Sequence, residues 1–160
     1  MRCVNFSLKS FKLMKINTKM NNKKKVMIFG TFDVFHKGHE NFIKQARKYG
    51  DYIVAVVARD KTVAEIKKQD TMIKEEDRAG ILRESGLLDE VVLGMLGDKY
   101  ELIKKHRPDV ICLGYDQINF TDELREKLKE FGLAETKIVR LQPYHPDKYK
   151  SSLLKKGGRI

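Results

Sequence analysis

The chain has 160 residues, 41% of them hydrophobic, and a formal net charge of +11. That length fits one domain with a real core, and its two cysteines, Cys3 and Cys112, exclude a disulfide framework or a cysteine-rich zinc site. The charge is uneven: residues 1–25 carry +8 and no acid, which leaves +3 for the rest and excludes the basic stripe of a nucleic-acid binder on the folded part.

No apolar run approaches the ~20 residues of a membrane span, and the N-terminus lacks a secretory hydrophobic region. Free thiols favour a reducing cytosol, and Cys112, in the apolar run DVICLG, reads as buried. Residues 1–24 form a basic extension, in which Phe6, Leu8, Phe11, Leu13 and Ile16 mix with lysines at neither helical nor strand spacing. The segment reads as a disordered tail, or as translated leader ahead of a start at Met14 or Met20. A basic amphipathic anchor for a membrane or RNA is the competing reading.

From Lys25 the chain alternates regularly, which defines a domain over 25–156 and a short tail over 157–160. VMIFG is a first strand. GHENFIKQARKYG sets Phe42, Ile43, Ala46 and Tyr49 at helical spacing, with Gly50 as its stop. YIVAVVA is a continuous apolar run, which marks a strand buried on both faces. EEDRAGILRESG is a helix stopped by Gly86, EVVLG a strand, and DKYELIKKH a helix ended at Arg107-Pro108. VICLG is a fourth strand. TDELREKLKEFG is a helix with Thr121 as its N-cap and Gly132 as its end. KIVRL is the last strand, and KYKSSLLKK a short helix. Five strands alternating with helices predict an α/β, Rossmann-like, doubly wound five-stranded parallel sheet in one domain. Ligands of such sheets sit beyond the carboxyl ends of the strands, where strand order reverses.

The segment after the first strand, GTFDVFHKGH, holds two of the four histidines, His36 and His39. Residues three apart share a helical face, and a helix start offers free N–H groups and a positive dipole end to an anion. Gly38 lacks a Cβ and lets a phosphate approach the backbone. Thr31 adds a hydroxyl and Lys37 a cation. Three readings stand at this point: a histidine-ligated metal, ordinary surface or capping residues, and imidazoles that donate hydrogen bonds to phosphate oxygens gaining charge.

GTFDVFHKGHENFIKQA resembles the H-x-G-H signature of the nucleotidyltransferases of the cytidylyltransferase-like superfamily, and the likeness extends from Lys25 to about Lys156. It implies in-line attack of a phosphorylated acceptor on the α-phosphorus of an NTP, with loss of pyrophosphate and no protein nucleophile. It further implies that His36 and His39 hold α- and β-phosphate oxygens beside Gly30, Thr31, Phe32, Lys37 and Gly38. A lysine after the second strand reaches the triphosphate, and Lys67 or Lys68 matches ahead of Lys61; a solvated basic face is the alternative. Arg78 matches the arginine that meets the β- and γ-phosphates, against a simple surface ion pair. Gly114 and Asp116 match the stretch that reads base and ribose. Ser151 and Ser152 match a C-terminal serine motif on the γ-phosphate, against simple N-capping. Mg²⁺ is expected mainly on the NTP phosphates, with Asp33 as a weak helper, and a homodimer is usual for such proteins.

Within the superfamily, VVARDKTV, GDKYELIKKHRPDVICLGYDQ and KSS are most similar to the archaeal-type FAD synthases, which implies ATP as nucleotide and FMN as acceptor. Glycerol-3-phosphate cytidylyltransferases carry R-T-E-G-I-S-T-T where this chain reads YHPDKYKSSLL. Heptose-phosphate adenylyltransferases share the histidine motif and the EDR helix. A nucleotide-binding regulator without turnover is the reading from another class; it would not need both histidines.

Overall fold

The computed structural model describes residues 23–118, 121 and 123–157. The basic extension expected over 1–24 and the tail over 157–160 lie almost wholly outside the described residues. Apolar runs rich in Val and Ile form five strands: β1 (Lys25–Gly30), β2 (Tyr52–Val57), β3 (Glu90–Leu93), β4 (Val110–Leu113) and β5 (Lys137–Arg140). All pair in parallel, in the order β3-β2-β1-β4-β5. This is the doubly wound sheet the alternation predicts, and its strand order reverses between β1 and β4.

Six helices accompany the strands among the described residues: α1 (Lys37–Arg47), α2 (Asp60–Lys67), α3 (Glu75–Glu84), α4 (Glu101–His106), α5 (Leu124–Glu130) and α6 (Ser151–Gly157). The pleat sends alternate side chains to opposite faces. Val26, Ile28, Ile53, Ala55, Val57 and Cys112 pack on one face with Ile43 and Ala46 of α1 and with Ala79 and Leu82 of α3. Met27, Val54, Val56 and Ile111 pack on the other with Leu102 and Ile103 of α4 and with Leu124 and Leu128 of α5. Central strands covered on both sides explain the unbroken apolar run of β2. Cys112 is free and buried, and burial pushes its thiol up to about 12. No helix of the described residues is long and apolar enough to cross a membrane.

Several local expectations change. Helix α2 has no counterpart among the predicted helices; Val63 alone of its residues is buried, so it has no apolar period to show. The helix expected to be capped by Thr121 begins at Leu124 after Glu123, and the Thr121 hydroxyl donates to the Ile118 carbonyl at 2.9 Å instead. Gly50 is not a left-handed stop: a Cβ there would strike the Lys24 carbonyl, so glycine admits the start of β1. Gly86 and Gly132 do end their helices at φ +67° and +68°.

Candidate active site

The turn from β1 into α1 is built under strain. Phe32 and Val34 take φ +52° and +53°, a left-handed conformation that is costly for a β-branched residue. Asp33, between them, is what holds them there. Its side chain is 2% exposed and accepts from the backbone N–H of Met72 and of Ile73, each at 3.0 Å, while Lys155 Nζ lies 2.5 Å from Oδ2. Burial pushes the Asp33 carboxyl upward, but Lys155 and the two N–H groups outweigh it and hold it below its usual range. The Asp33 carbonyl accepts the Ser151 hydroxyl at 2.9 Å. Ser151 and Lys155 are four residues apart, so they share a face of α6 and grip the same residue.

His36 is the N-cap of α1. Its Nδ1 accepts from Gly38 N–H at 3.0 Å. A neutral ring with an accepting Nδ1 carries its proton on Nε2, and Nε2 faces Ser151 Oγ at 3.3 Å. Ser151 in turn donates its hydroxyl hydrogen to the Asp33 carbonyl, so the hydrogen bonds run in one direction from Gly38 to that carbonyl. His39 stacks on His36 with ring centroids 3.9 Å apart and an interplanar angle of 22°, and its other neighbours are the rings of Phe32 and Phe35. Its Nδ1 is buried with no hydrogen-bond partner among the described residues. Such an orphan is costly and is rare outside functional sites. Burial first, then the His36 ring, pushes the His39 pKa down to about 3, and burial lowers that of His36. Both shifts favour the neutral rings, two imidazoles held face to face.

Lys67, at the end of α2, reaches back to donate to Thr31 Oγ1 at 3.1 Å. Burial lowers its pKa, against the pull of Asp116 from the loop after β4 and amid contributions from Lys155, Asp33 and Arg78. Thr31, His36, Gly38, His39, Lys67, Asp116 and Ser151 are thus gathered around the carboxyl ends of β1 and β4. Gly38 has a steric reason beyond ligand approach: a Cβ would lie 2.8 Å from the His36 ring and 2.9 Å from the Tyr149 carbonyl. Gly30 faces the Phe32 ring in the same way, at 2.8 Å. Lys37, Lys67, Lys68 and Ser152 are exposed, the Lys67 ammonium lying against Thr31 at the surface of the site.

Arg78 lies inside the fold. It is 0% exposed, and its guanidinium is used up internally. Nε donates to the Ile73 carbonyl at 2.9 Å, Nη1 to the Thr31 carbonyl, and Nη2 to the Ala58 carbonyl at 2.9 Å and to Asp60 Oδ1 at 2.6 Å. Four of the five guanidinium N–H donors are thus engaged within the protein. Arg78 is a positioning residue that ties the loops after β1 and β2 to the start of α3. Both oxygens of Asp33 are likewise engaged, by Met72 N–H, Ile73 N–H and Lys155. The described residues hold no cluster of three side chains able to ligate an ion.

Sequence reasoning passed over Lys155 and Gln117. Lys155 was legible as the residue four after Ser151 in SSLLK. Gln117 gave no signal, since a glutamine in a loop has no period or motif of its own.

A parallel sheet with a histidine-capped helix start at its switch point is a doubly wound α/β architecture of the kind that binds ligands at the carboxyl ends of its strands. The chain belongs to the cytidylyltransferase-like family, whose description matches residues 27–157. It is 41% identical over 134 residues to the FAD synthase of Pyrococcus abyssi, covering 82% of this chain and 90% of that one. It is 42% identical over 120 residues to the FAD synthase of Ferroglobus placidus, covering 74% and 76%. A solved structure described as the lipopolysaccharide core biosynthesis protein of Thermoplasma volcanium superposes with TM-score 0.71 at 36% identity, covering 77% of this chain and 99% of that one.

Proposed function

We propose that this enzyme transfers AMP from ATP to FMN. A phosphate oxygen of FMN attacks the α-phosphorus, the bond from that phosphorus to the bridging oxygen breaks, and FAD and pyrophosphate leave. The observation that carries the acceptor is the identity of about 40% with archaeal FAD synthases over some nine-tenths of the length of one of them. The stacked neutral histidines at the end of β1 support the chemistry. On this reading His36 Nε2–H and the His39 ring donate to phosphate oxygens as charge moves onto them, where a preorganised donor favours the transition state over the ground state. Ser151 stands beside His36 Nε2 and marks where an oxygen would sit. Lys67 meets the triphosphate, and Gly114 and Asp116 meet the base and ribose. Mg²⁺ travels with the nucleotide and neutralises phosphate charge; Asp33 keeps its clamp.

The test is pyrophosphate release with ATP or CTP crossed against FMN, glycerol 3-phosphate, phosphoethanolamine and heptose 1-phosphate. FAD formed from ATP and FMN is the expected product. Turnover with heptose 1-phosphate or glycerol 3-phosphate but not FMN would reassign the acceptor and leave the reaction class standing.

A further inference from the structure

Backbone pairing between β1 and β4 runs through Val26↔Val110, Met27↔Ile111 and Ile28↔Cys112. Beyond that rung the strands diverge, and the crevice of the switch point opens. One side chain spans the opening. Gln117 Oε1 accepts from Gly114 N–H at 2.9 Å, and Gln117 Nε2 donates to the Phe29 carbonyl at 2.6 Å. A carboxamide offers one acceptor and a donor in one plane, as a peptide unit does. Gln117 thus adds a rung that the backbone does not supply. From the other side, Arg140 Nη1 at the end of β5 donates to the Gly114 carbonyl at 2.8 Å and to the Gln117 carbonyl at 3.2 Å. The loop that carries Gly114 and Asp116 is therefore pinned from β1 by Gln117 and from β5 by Arg140.

We infer that Gln117 is the specificity-determining residue of the nucleotide site, because it sets the position of the loop that reads the base. The inference rests on the adenylyl-transfer reading. The phosphate contacts lie on separate elements: the start of α1, the end of α2 and the start of α6. They are blind to the base. Hydrogen-bond recognition of a base edge fails within a few tenths of an ångström of misplacement, so a loop released on its β1 side loses the part of binding that distinguishes adenine from cytosine. What remains is common to both nucleotides. Gln117 does not have to touch the base for this to hold.

The experiment is calorimetric binding of non-hydrolysable ATP and CTP analogues, with inorganic tripolyphosphate as a base-free probe, to the full chain and to Gln117→Ala and Gln117→Glu. Glutamate keeps the length and the acceptor for Gly114 N–H but cannot donate to the Phe29 carbonyl; it remains informative if the alanine variant folds poorly. ATP affinity should fall roughly tenfold in both, the size expected for losing one or two such bonds. Tripolyphosphate affinity should stay within about threefold, and CTP, which loses only the ribose contact of the loop, should fall less than ATP, so the preference for ATP narrows. A native chain that prefers ATP, with variants that keep that preference, would overturn the role of Gln117 alone. A native chain that binds tripolyphosphate but prefers neither nucleotide would overturn it too. A native chain that binds none of the three would overturn the adenylyl-transfer reading along with it.

Discussion

Replacing Arg78 separates a residue that builds the site from one that touches the ligand. Arg78→Ala removes donors from the carbonyls of Thr31, Ala58 and Ile73 and from Asp60. The three carbonyl residues are half-buried rather than sealed, so water can reach them in part, and each costs about 1 kcal/mol, the low end for a stranded group. Asp60 is 38% exposed and keeps Thr71 and Glu75 N–H as partners, so its loss is also held to about 1 kcal/mol. The total is about 4 kcal/mol, or a melting temperature roughly 8–16 °C lower for a chain of this size. Arg78→Lys should recover little of it, because one ammonium cannot reach four acceptors spread around a planar fork. Urea titration and thermal melts measure the loss, and ATP binding well below the midpoint measures the site. A variant that melts within 2 °C of the native chain, yet loses ATP affinity tenfold, would refute the positioning role and return Arg78 to the phosphates.

Three further outcomes follow from the same geometry. The folded chain refuses His39 a proton that the unfolded chain takes up below its ordinary 6.5, so stability is complete above that pH and declines as pH falls toward 3. At pH 5 the His39 share of the loss is about 2 kcal/mol by linkage, measured by melts between pH 7.5 and 5 and removed in His39→Asn, which keeps the dependence due to His36 and His106, whose pKa values burial also lowers. Lys155→Met strands the buried carboxylate of Asp33 on two N–H groups and should cost about 2 kcal/mol, below the range for a fully buried pair; Asp33→Asn in that background should add little, which a double-mutant cycle of denaturant midpoints checks. A chain that starts at Met20 should melt and turn over as the full chain does, because the sheet begins at Lys25; a clear drop in either would give residues 1–19 a function.

The fold was legible because its signals are collective. Each of the five strands is an apolar run, helical stretches separate one from the next, and central strands such as YIVAVV need covering on both faces. The histidine pair was legible because spacing and position coincide: three residues apart, at a helix start, after a strand. The roles around it were not. Arg78 sits in an acidic helix turn that reads as surface, and only the long-range packing of three loops around it buries the fork. Asp33 looked like a metal helper because a lone carboxylate near phosphates invites that reading, but its partners are 39, 40 and 122 residues away in the chain. Val34 at φ +53° ran against every local preference; it is strained where the site needs the turn, and the Asp33 clamp supplies the restraint.

The central claim is that His36 and His39 act as neutral donors to the phosphates during adenylyl transfer. Single-turnover conversion of ATP and FMN to FAD by His36→Ala and His39→Ala, with melts alongside, tests it most directly. Each variant should fold and lose about 10²–10³ in rate, the effect of removing one preorganised transition-state donor, and asparagine at either position should restore part of it. Variants that melt normally and form FAD at near-native rates would contradict the account.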